Sequence, residues 1–349
     1  MNTGKVLISW YNQNKRDLPW RSTRNPYLIW VSEIIMQQTR ISQGLPYYIK
    51  FTEQFPTVQK LAESTLDRVY LVWQGLGYYS RARNMHLTAQ KIVTEYKGNF
   101  PESSAALLQL KGIGNYTAAA IASVCYNEKI PAIDGNVLRV ISRLYNIEYP
   151  VDKAMGKKMV STISMDILGN NHPGTYNQAI MDLGALICTP TQPKCDNCPL
   201  SDKCISLIQN TIANRPVKSV KTLQRPRYFV YLYFRNNDNT IIMQRKEGDI
   251  WNGLFEFPLW ESEYQIKQEE FMCKNEIVNL TKGLTISEID FYIPKVHKLS
   301  HQLIYSLFIE IVTNKLPTIP NSKTISINKL DEYALPKIIE NYLTRKLKK

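Results

Sequence analysis

The sequence predicts a mainly α N-terminal region followed by an α+β C-terminal domain. Three observations lead there. The first 210 residues read as short amphipathic helices cut by Pro and Gly. From Arg227 onward the texture changes to aromatic-rich, alternating strands. Between the two, residues 211–226 (TIANRPVKSVKTLQRP) are polar, basic and Pro-containing, which reads as a linker. The expected division is 1–210, a linker over 211–226, and 227–349, and 349 residues suit about two domains.

Each element has its own signal. Val31, Ile34 and Ile35 share one helical face. Pro46, Pro56, Gly75, Pro101 and Pro131 are expected to interrupt the helical segments. Leu107, Leu108 and Leu110 begin another stripe, closed by Lys111–Gly112, and the small residues from Ala118 to Val124 suit a closely packed helix. After the linker, Arg227–Phe234 (RYFVYLYF) and Thr240–Gln244 read as strands joined by a turn over Asn236–Asn239. His301–Val312 alternates like a strand, and Pro336–Leu347 reads as a closing helix.

Net charge is +13, with a sequence pI of about 9.3. Residues 1–210 carry 22 Lys+Arg against 15 Asp+Glu, and residues 211–349 carry 21 against 15, so both parts share the excess. That balance favours a polyanionic partner, nucleic acid first, although a generically basic surface gives the same sum. No apolar run approaches a membrane span and no secretory signal opens the chain, so a cytoplasmic protein with no membrane partner is expected, nucleoid-associated in a bacterium.

Four of the six cysteines, Cys188, Cys195, Cys198 and Cys204, fall in the run CTPTQPKCDNCPLSDKC. Two disulfides would suit an oxidising compartment, for which nothing in the sequence speaks. Four thiolates could instead converge on zinc or an iron–sulfur cluster. Zinc sites more often pair two close doublets, and here only Cys195 and Cys198 form one. The spacing leans toward iron–sulfur without deciding it. Cys125 and Cys273 are expected to be buried structural thiols.

Leu110-Lys111-Gly112-Ile113-Gly114 suits a tight hairpin between two helices. Glycines there would let backbone N–H groups approach a phosphate, although a Gly-x-Gly can equally cap a helix. Asp134, after the apolar run Ile130–Ile133, could be a plain N-cap.

Taken in order, the segments say more. Leu18-Pro19-Trp20-Arg21, Ser32-Glu33-Ile34-Ile35-Met36-Gln37-Gln38-Thr39 and Gly75-Leu76-Gly77-Tyr78-Tyr79-Ser80-Arg81 stand ahead of the hairpin. Asp134, Tyr176-Asn177-Gln178 and the four cysteines follow it. Together they closely resemble the adenine DNA glycosylases, the MutY family of the helix–hairpin–helix glycosylase superfamily. Trp251–Pro258 and Lys298-Leu299-Ser300-His301 resemble that family's Nudix-like C-terminal recognition domain.

The resemblance implies a base-excision repair enzyme that hydrolyses the N-glycosidic bond of adenine opposite 8-oxoguanine or guanine in duplex DNA, acting as a monomer. It implies a [4Fe–4S] cluster on Cys188, Cys195, Cys198 and Cys204, in a loop that presents Lys194 and Lys203 to DNA. Glu33 matches the catalytic acid, and Asp134 the carboxylate that stabilises the oxocarbenium-like sugar. Related bifunctional enzymes carry a nucleophilic Lys at position 116. Tyr116 cannot form that imine, which implies monofunctional action. Tyr116 and Asn136 match residues that organise the nucleophile and the sugar. Arg21 and Gln178 match residues around the extruded adenine. Gln38, with Thr39 beside it, and Tyr78 match the side chains that wedge into the duplex; core packing would equally suit Tyr78–Tyr79. Gly112 and Gly114 match the phosphate-binding hairpin, and Ser300 and His301 the loop that reads the damaged base.

Two departures stand out. Leu299 replaces the aromatic residue common in the family's loop. The C-terminal domain also lacks the R-E-x-x-E-E run needed to hold Mg²⁺, which disfavours nucleotide pyrophosphatase activity. The alternatives are a bifunctional pyrimidine glycosylase of the endonuclease III type and a non-enzymatic iron–sulfur DNA-binding protein.

Overall fold

The computed structural model describes residues 2–219 and 223–346. Residues 220–222 of the expected linker and Leu347 of the expected closing helix lie outside them. The chain forms two compact units, Met1–Ser64 with Asn84–Val220, and Thr65–Arg83 with Lys221–Lys349. The second unit thus takes in Thr65–Arg83, which the sequence grouped with the helical region. The reason is side-chain bonding: Tyr70 Oη donates to the Asn252 carbonyl at 3.3 Å.

The helices up to the cysteine loop are α1 (Thr3–Asn14), α2 (Pro26–Ile35), α3 (Ile41–Gln54), α4 (Val58–Glu63), α5 (Leu66–Trp73), α6 (Ser80–Tyr96), α7 (Ser104–Leu107), α8 (Asn115–Tyr126), α9 (Gly135–Leu144), α10 (Ala154–Leu168) and α11 (Pro173–Leu186). A short α12 (Ile205–Ile208) follows the cysteines. Asn25 caps α2 through its side chain, with Pro26 at the first helical position. Val31, Ile34 and Ile35 are buried from it as the spacing predicts.

Pro46 does not interrupt a helix; it lies inside α3. Its ring removes the bond to the Ser42 carbonyl, and exposed Ser42 leaves that carbonyl to water. The Leu107–Leu110 stripe is also shorter than expected, because α7 stops at Leu107 and Leu108 is exposed. Leu110 and Ile113 instead anchor the hairpin in the core. Gly112 turns the chain at φ +81°, where a Cβ would lie 2.7 Å from that of Asn84, so glycine is required. Residues from α1, α9, α10 and α11 form one core, on which Cys188, Cys198 and Cys204 pack.

The expected linker is partly ordered. Ile212–Asn214 form a 3-10 turn, and the Arg215 and Val217 carbonyls accept from Arg143 Nε at 3.2 Å and Val151 N–H at 3.1 Å. Arg225 and Pro226 already belong to the first strand. In the second unit the strands are β1 (Arg225–Arg235), β2 (Asn239–Gln244), β3 (Phe255–Glu256), β4 (Leu259–Ser262), β5 (Ile286–Tyr292), β6 (His297–Lys298), β7 (Gln302–Thr313) and β8 (Ser322–Ser326). The helices are α13 (Gln268–Met272), α14 (Asn275–Thr281) and α15 (Lys337–Lys346).

The sheet runs β3-β2-β1-β7-β5, with β4 on β1, β6 on β7 and β8 on β2. β1 and β7 are parallel, from Arg225 opposite Gln302 to Arg235 opposite Val312. The continuous apolar run of β1 follows from burial on both faces. Phe229, Tyr231 and Tyr233 enter one core with Ile338, Ile339 and Tyr342 of α15. Val230, Leu232 and Phe234 enter the other with Phe271 and Ile277 of α13 and α14. Asp249, Glu256 and Glu261 are bound by arginine. Arg227 meets Asp249 and Glu261 at 2.6 Å each, and Arg245 meets Glu256 at 3.1 Å. Cys125 is half-buried, but Cys273 is exposed at the end of α13, where a short surface helix leaves no core to enter. Among the described residues no helix is long and apolar enough to cross a membrane.

Candidate active site

Glu33, Tyr116, Asp134, Asn136, Arg21 and Gln178 line one cavity of about 470 Å³ in the first unit. Thr39 is on its wall, with Arg16 and Met181. The two carboxyl residues, distant in sequence, therefore share one pocket.

Glu33 is carried by α2 between four buried apolar neighbours, Trp30, Val31, Ile34 and Ile35. Its carboxyl is raised to about 7, chiefly by burial and also by the Asp134 charge, against a bond from Tyr116 and the charge of Arg21. Burial also pushes the Tyr116 phenol well above its ordinary value, with the Glu33 and Asp134 charges adding to it. A phenol in that state stays protonated and donates. Asp134 caps α9, accepting from Val137 N–H at 2.8 Å and from Asn136 Nδ2 at 2.7 Å. Its N-cap role and its place in the cavity thus coexist. Burial raises its carboxyl, and those two donors restrain the rise.

Asn136 is held in turn. Its Oδ1 accepts from Arg139, whose guanidinium also donates to the Gly184 and Cys188 carbonyls, all three bonds at 2.7–2.8 Å. A Cβ on Gly184 would lie 2.6 Å from that of Asn136, so this glycine lets α11 approach α9. Arg139 thereby connects the pocket to the first residue of the cysteine loop.

The four thiols line a second, small cavity of about 30 Å³ with Ile187, Pro193, Leu207 and Ile212. Among the described residues no three His, Cys, Asp or Glu side chains are set for one metal ion.

Residues 31–164 match the family described as HhH-GPD superfamily base excision DNA repair protein, and residues 230–345 match the NUDIX domain. The adenine DNA glycosylase of Buchnera aphidicola subsp. Acyrthosiphon pisum (strain APS) is 35% identical over 97% of this chain and 97% of its own. That of Mus musculus is 40% identical over 57% of this chain and 40% of its own.

The chain belongs to the adenine DNA glycosylase family.

Among solved structures, a thermostable thymine-DNA glycosylase aligns with TM-score 0.55 at 26% identity, covering 59% of this chain and 95% of that one. A non-covalent endonuclease III–DNA complex, at TM-score 0.52 and 20% identity over 60% of this chain and 94% of that one, shares the fold.

The glycosylase's remaining site candidates are placed as follows. Gln38 is exposed at φ +56° beside the cavity-lining Thr39. Gly114 caps α8 with open space around it. In the second unit Tyr79 is buried, whereas Tyr78 is 50% exposed at φ +50°. The expectation of core packing for this pair thus holds for one of the two. Left-handed backbone is costly for a side-chain-bearing residue, and Gln38 and Tyr78 both adopt it. The Tyr78 and Ser300 hydroxyls meet at 3.1 Å, and both line a cavity of about 370 Å³ with Trp251 and His301. Leu299 packs on the sheet core.

Sequence reasoning passed over Tyr11, Arg16, Arg139, Asp182 and Gly184. Asp182 is fully buried, and Arg21 binds it with Nη1 and Nη2 at 2.6 Å each. Arg16 adds a bond from Nε at 2.9 Å and another from its Nη2. Tyr11 Oη donates to Gln178 Oε1 at 2.7 Å and lies under the Arg21 guanidinium. One signal was available. Asp182 stands one helical turn after Gln178 on an apolar helix, and a charge on that face needs a partner.

Proposed function

We propose that this glycosylase excises adenine paired with 8-oxoguanine, or with guanine, from duplex DNA by hydrolysis without strand cleavage. The observation that carries it is the meeting of Glu33 and Asp134 in one cavity, with burial holding Glu33 near neutral pH as an acid. Adenine leaves poorly unless a ring nitrogen is protonated, and it must first be turned out of the stack. Glu33 gives its proton to the base, the bonding pair departs with adenine, and the sugar is left oxocarbenium-like. Asp134, as carboxylate, faces that positive charge, steadied by Asn136. Water then adds to the sugar, and its proton returns to Glu33. Tyr116 stands where a lyase needs an amine and offers only a phenol, its hydroxyl 3.3 Å from Met181 Sδ. Arg21 and Gln178 border the base pocket, and Gln38 and Tyr78 fit the gap left in the duplex.

Cys188, Cys195, Cys198 and Cys204 fit a [4Fe–4S] cluster: four thiols share one cavity and would hold it. Such a cluster supplies a fixed cross-link for the loop that carries Lys194 and Lys203, and the excision steps pass through side chains alone. Ser300 and His301 read the damaged base.

The test incubates the protein with a duplex holding one A:8-oxoguanine pair, then treats half with alkali. Strand breaks that appear only after alkali support hydrolytic excision. Breaks without alkali, trapped by borohydride, would mark a lyase, and intact adenine would reject the activity. Iron analysis should give about four irons per chain; one zinc in an active preparation would overturn the cluster.

A further inference from the structure

We propose that Asp182 is a positioning residue that keeps the Arg21 and Arg16 guanidinium groups engaged with itself, so that Glu33 holds its proton. This rests on Glu33 being the acid. Asp182 has no solvent exposure, yet it lies directly behind the wall of the adenine cavity. Both terminal nitrogens of Arg21 are committed to its two oxygens, and Arg16 adds its own bonds. Arg21 and Arg16 line the cavity that holds Glu33 and Asp134, the carboxylates a released guanidinium would find there.

Burial alone would raise the Asp182 carboxyl, but the two arginines outweigh it and hold it below the usual range, so it is an anion throughout the working pH. The arrangement Arg16–Asp182–Arg21 therefore carries one net positive charge. With a neutral residue at position 182 it would carry two, beside an acid that must stay protonated. The groups facing Glu33 come from each side: Arg21 from the turn before α2, Tyr116 from α8 and Asp134 from the start of α9. Cys125, at the end of α8, is itself near enough to feel the Glu33 charge. Arg16 and Arg40 complete the charged groups on the cavity wall. Of the cations, Arg21 is the one whose charge already acts on Glu33, and Asp182 is its counter-ion.

The experiment is single-turnover adenine excision from an A:8-oxoguanine duplex, at saturating protein, from pH 5.5 to 9. The parent, Asp182→Asn, Asp182→Glu and Arg21→Met are compared, each checked for a cooperative melt. The parent rate should fall above about pH 7. In Asp182→Asn that fall should begin about one pH unit lower, and Asp182→Glu should restore it toward the parent. Arg21→Met, which removes the cation itself, should move the fall upward, so the inference survives testing even if Asp182→Asn does not fold. A mere loss of structure lowers the rate at every pH and shifts neither limb. Unshifted limbs in both Asp182→Asn and Arg21→Met would overturn the role of Asp182 and leave Glu33 as the acid. A flat parent profile, or a Glu33→Gln protein at the parent rate, would instead remove the acid assignment on which the inference rests.

Discussion

At the scale of the residue, the proposed mechanism makes Glu33 decide whether the pocket can perform excision at neutral pH. An ordinary Glu is ionised at pH 7 and has no proton to give. Burial holds this one at about 7, so a substantial fraction stays protonated there. The rate should therefore fall as pH rises through 7, and Glu33→Gln should abolish excision while duplex binding persists. The same burial costs stability. The unfolded chain ionises Glu33 above about pH 4.5, whereas the folded pocket resists until about 7. Stability contributed by the neutral acid is complete below pH 4.5 and lost as pH rises through 7. Glu33→Gln should thus melt above the parent at pH 8, by about 1–3 kcal/mol, and match it at pH 4. Equal denaturant midpoints at both pH values would argue against a buried, neutral Glu33. For Asp134→Asn the expected loss is in the chemical step, because the amide keeps the α9 cap and removes the charge.

At the scale of the element, the pocket depends on how closely α11 lies against α9. Gly184 sets that distance, and Arg139 fixes Asn136 across it. In Gly184→Ala the new methyl must displace Asn136, whose Cβ would stand 2.6 Å away and whose Cα 3.2 Å away. Overpacking of this kind costs about 1–3 kcal/mol, and a shifted Asn136 no longer steadies Asp134. Excision should slow about 10- to 100-fold, with the melting temperature lowered; parent values for both would show that α9 does not need this approach. These helices also show what a single sequence can and cannot disclose. The glycine hairpin, the α2 stripe and the strand pair β1–β2 announce themselves through local spacing. The cysteine loop does too. The partners that hold the pocket do not, because Arg21 and Asp182 are 161 residues apart and Tyr78 and Ser300 are 222 apart. Pro46 misleads for the opposite reason: a local rule says break, and an exposed second turn of α3 tolerates it.

At the scale of the whole molecule, the proposed assignments put excision and lesion recognition on different compact units. Glu33, Asp134, Tyr116 and Asn136 belong to the first, whereas Tyr78, Ser300 and His301 belong to the second. The second unit has bound Asp249, Glu256 and Glu261 to arginines, which suits a recognition module better than a hydrolytic one. The division makes selectivity and chemistry separable by mutation. 8-Oxoguanine differs from guanine by a carbonyl and by an N–H at the neighbouring ring nitrogen, so only polar groups placed against those atoms can tell them apart. Ser300 offers a hydroxyl already ordered by Tyr78 at 3.1 Å, beside an exposed His301 imidazole. Leu299, on the wall of the same cavity, is apolar and leaves that task to these two side chains. Hydrogen-bonded readout of a base edge is worth about 1–3 kcal/mol. The double change Ser300→Ala with His301→Ala should therefore lower the preference for A:8-oxoguanine over A:G by about 10- to 100-fold. The maximal rate on either duplex at saturating protein should stay near that of the parent, since Glu33 and Asp134 are untouched. Excision from matched duplexes at limiting protein measures the ratio. An unchanged ratio would move lesion recognition to Gln38 and Tyr78, both exposed and both held in left-handed backbone.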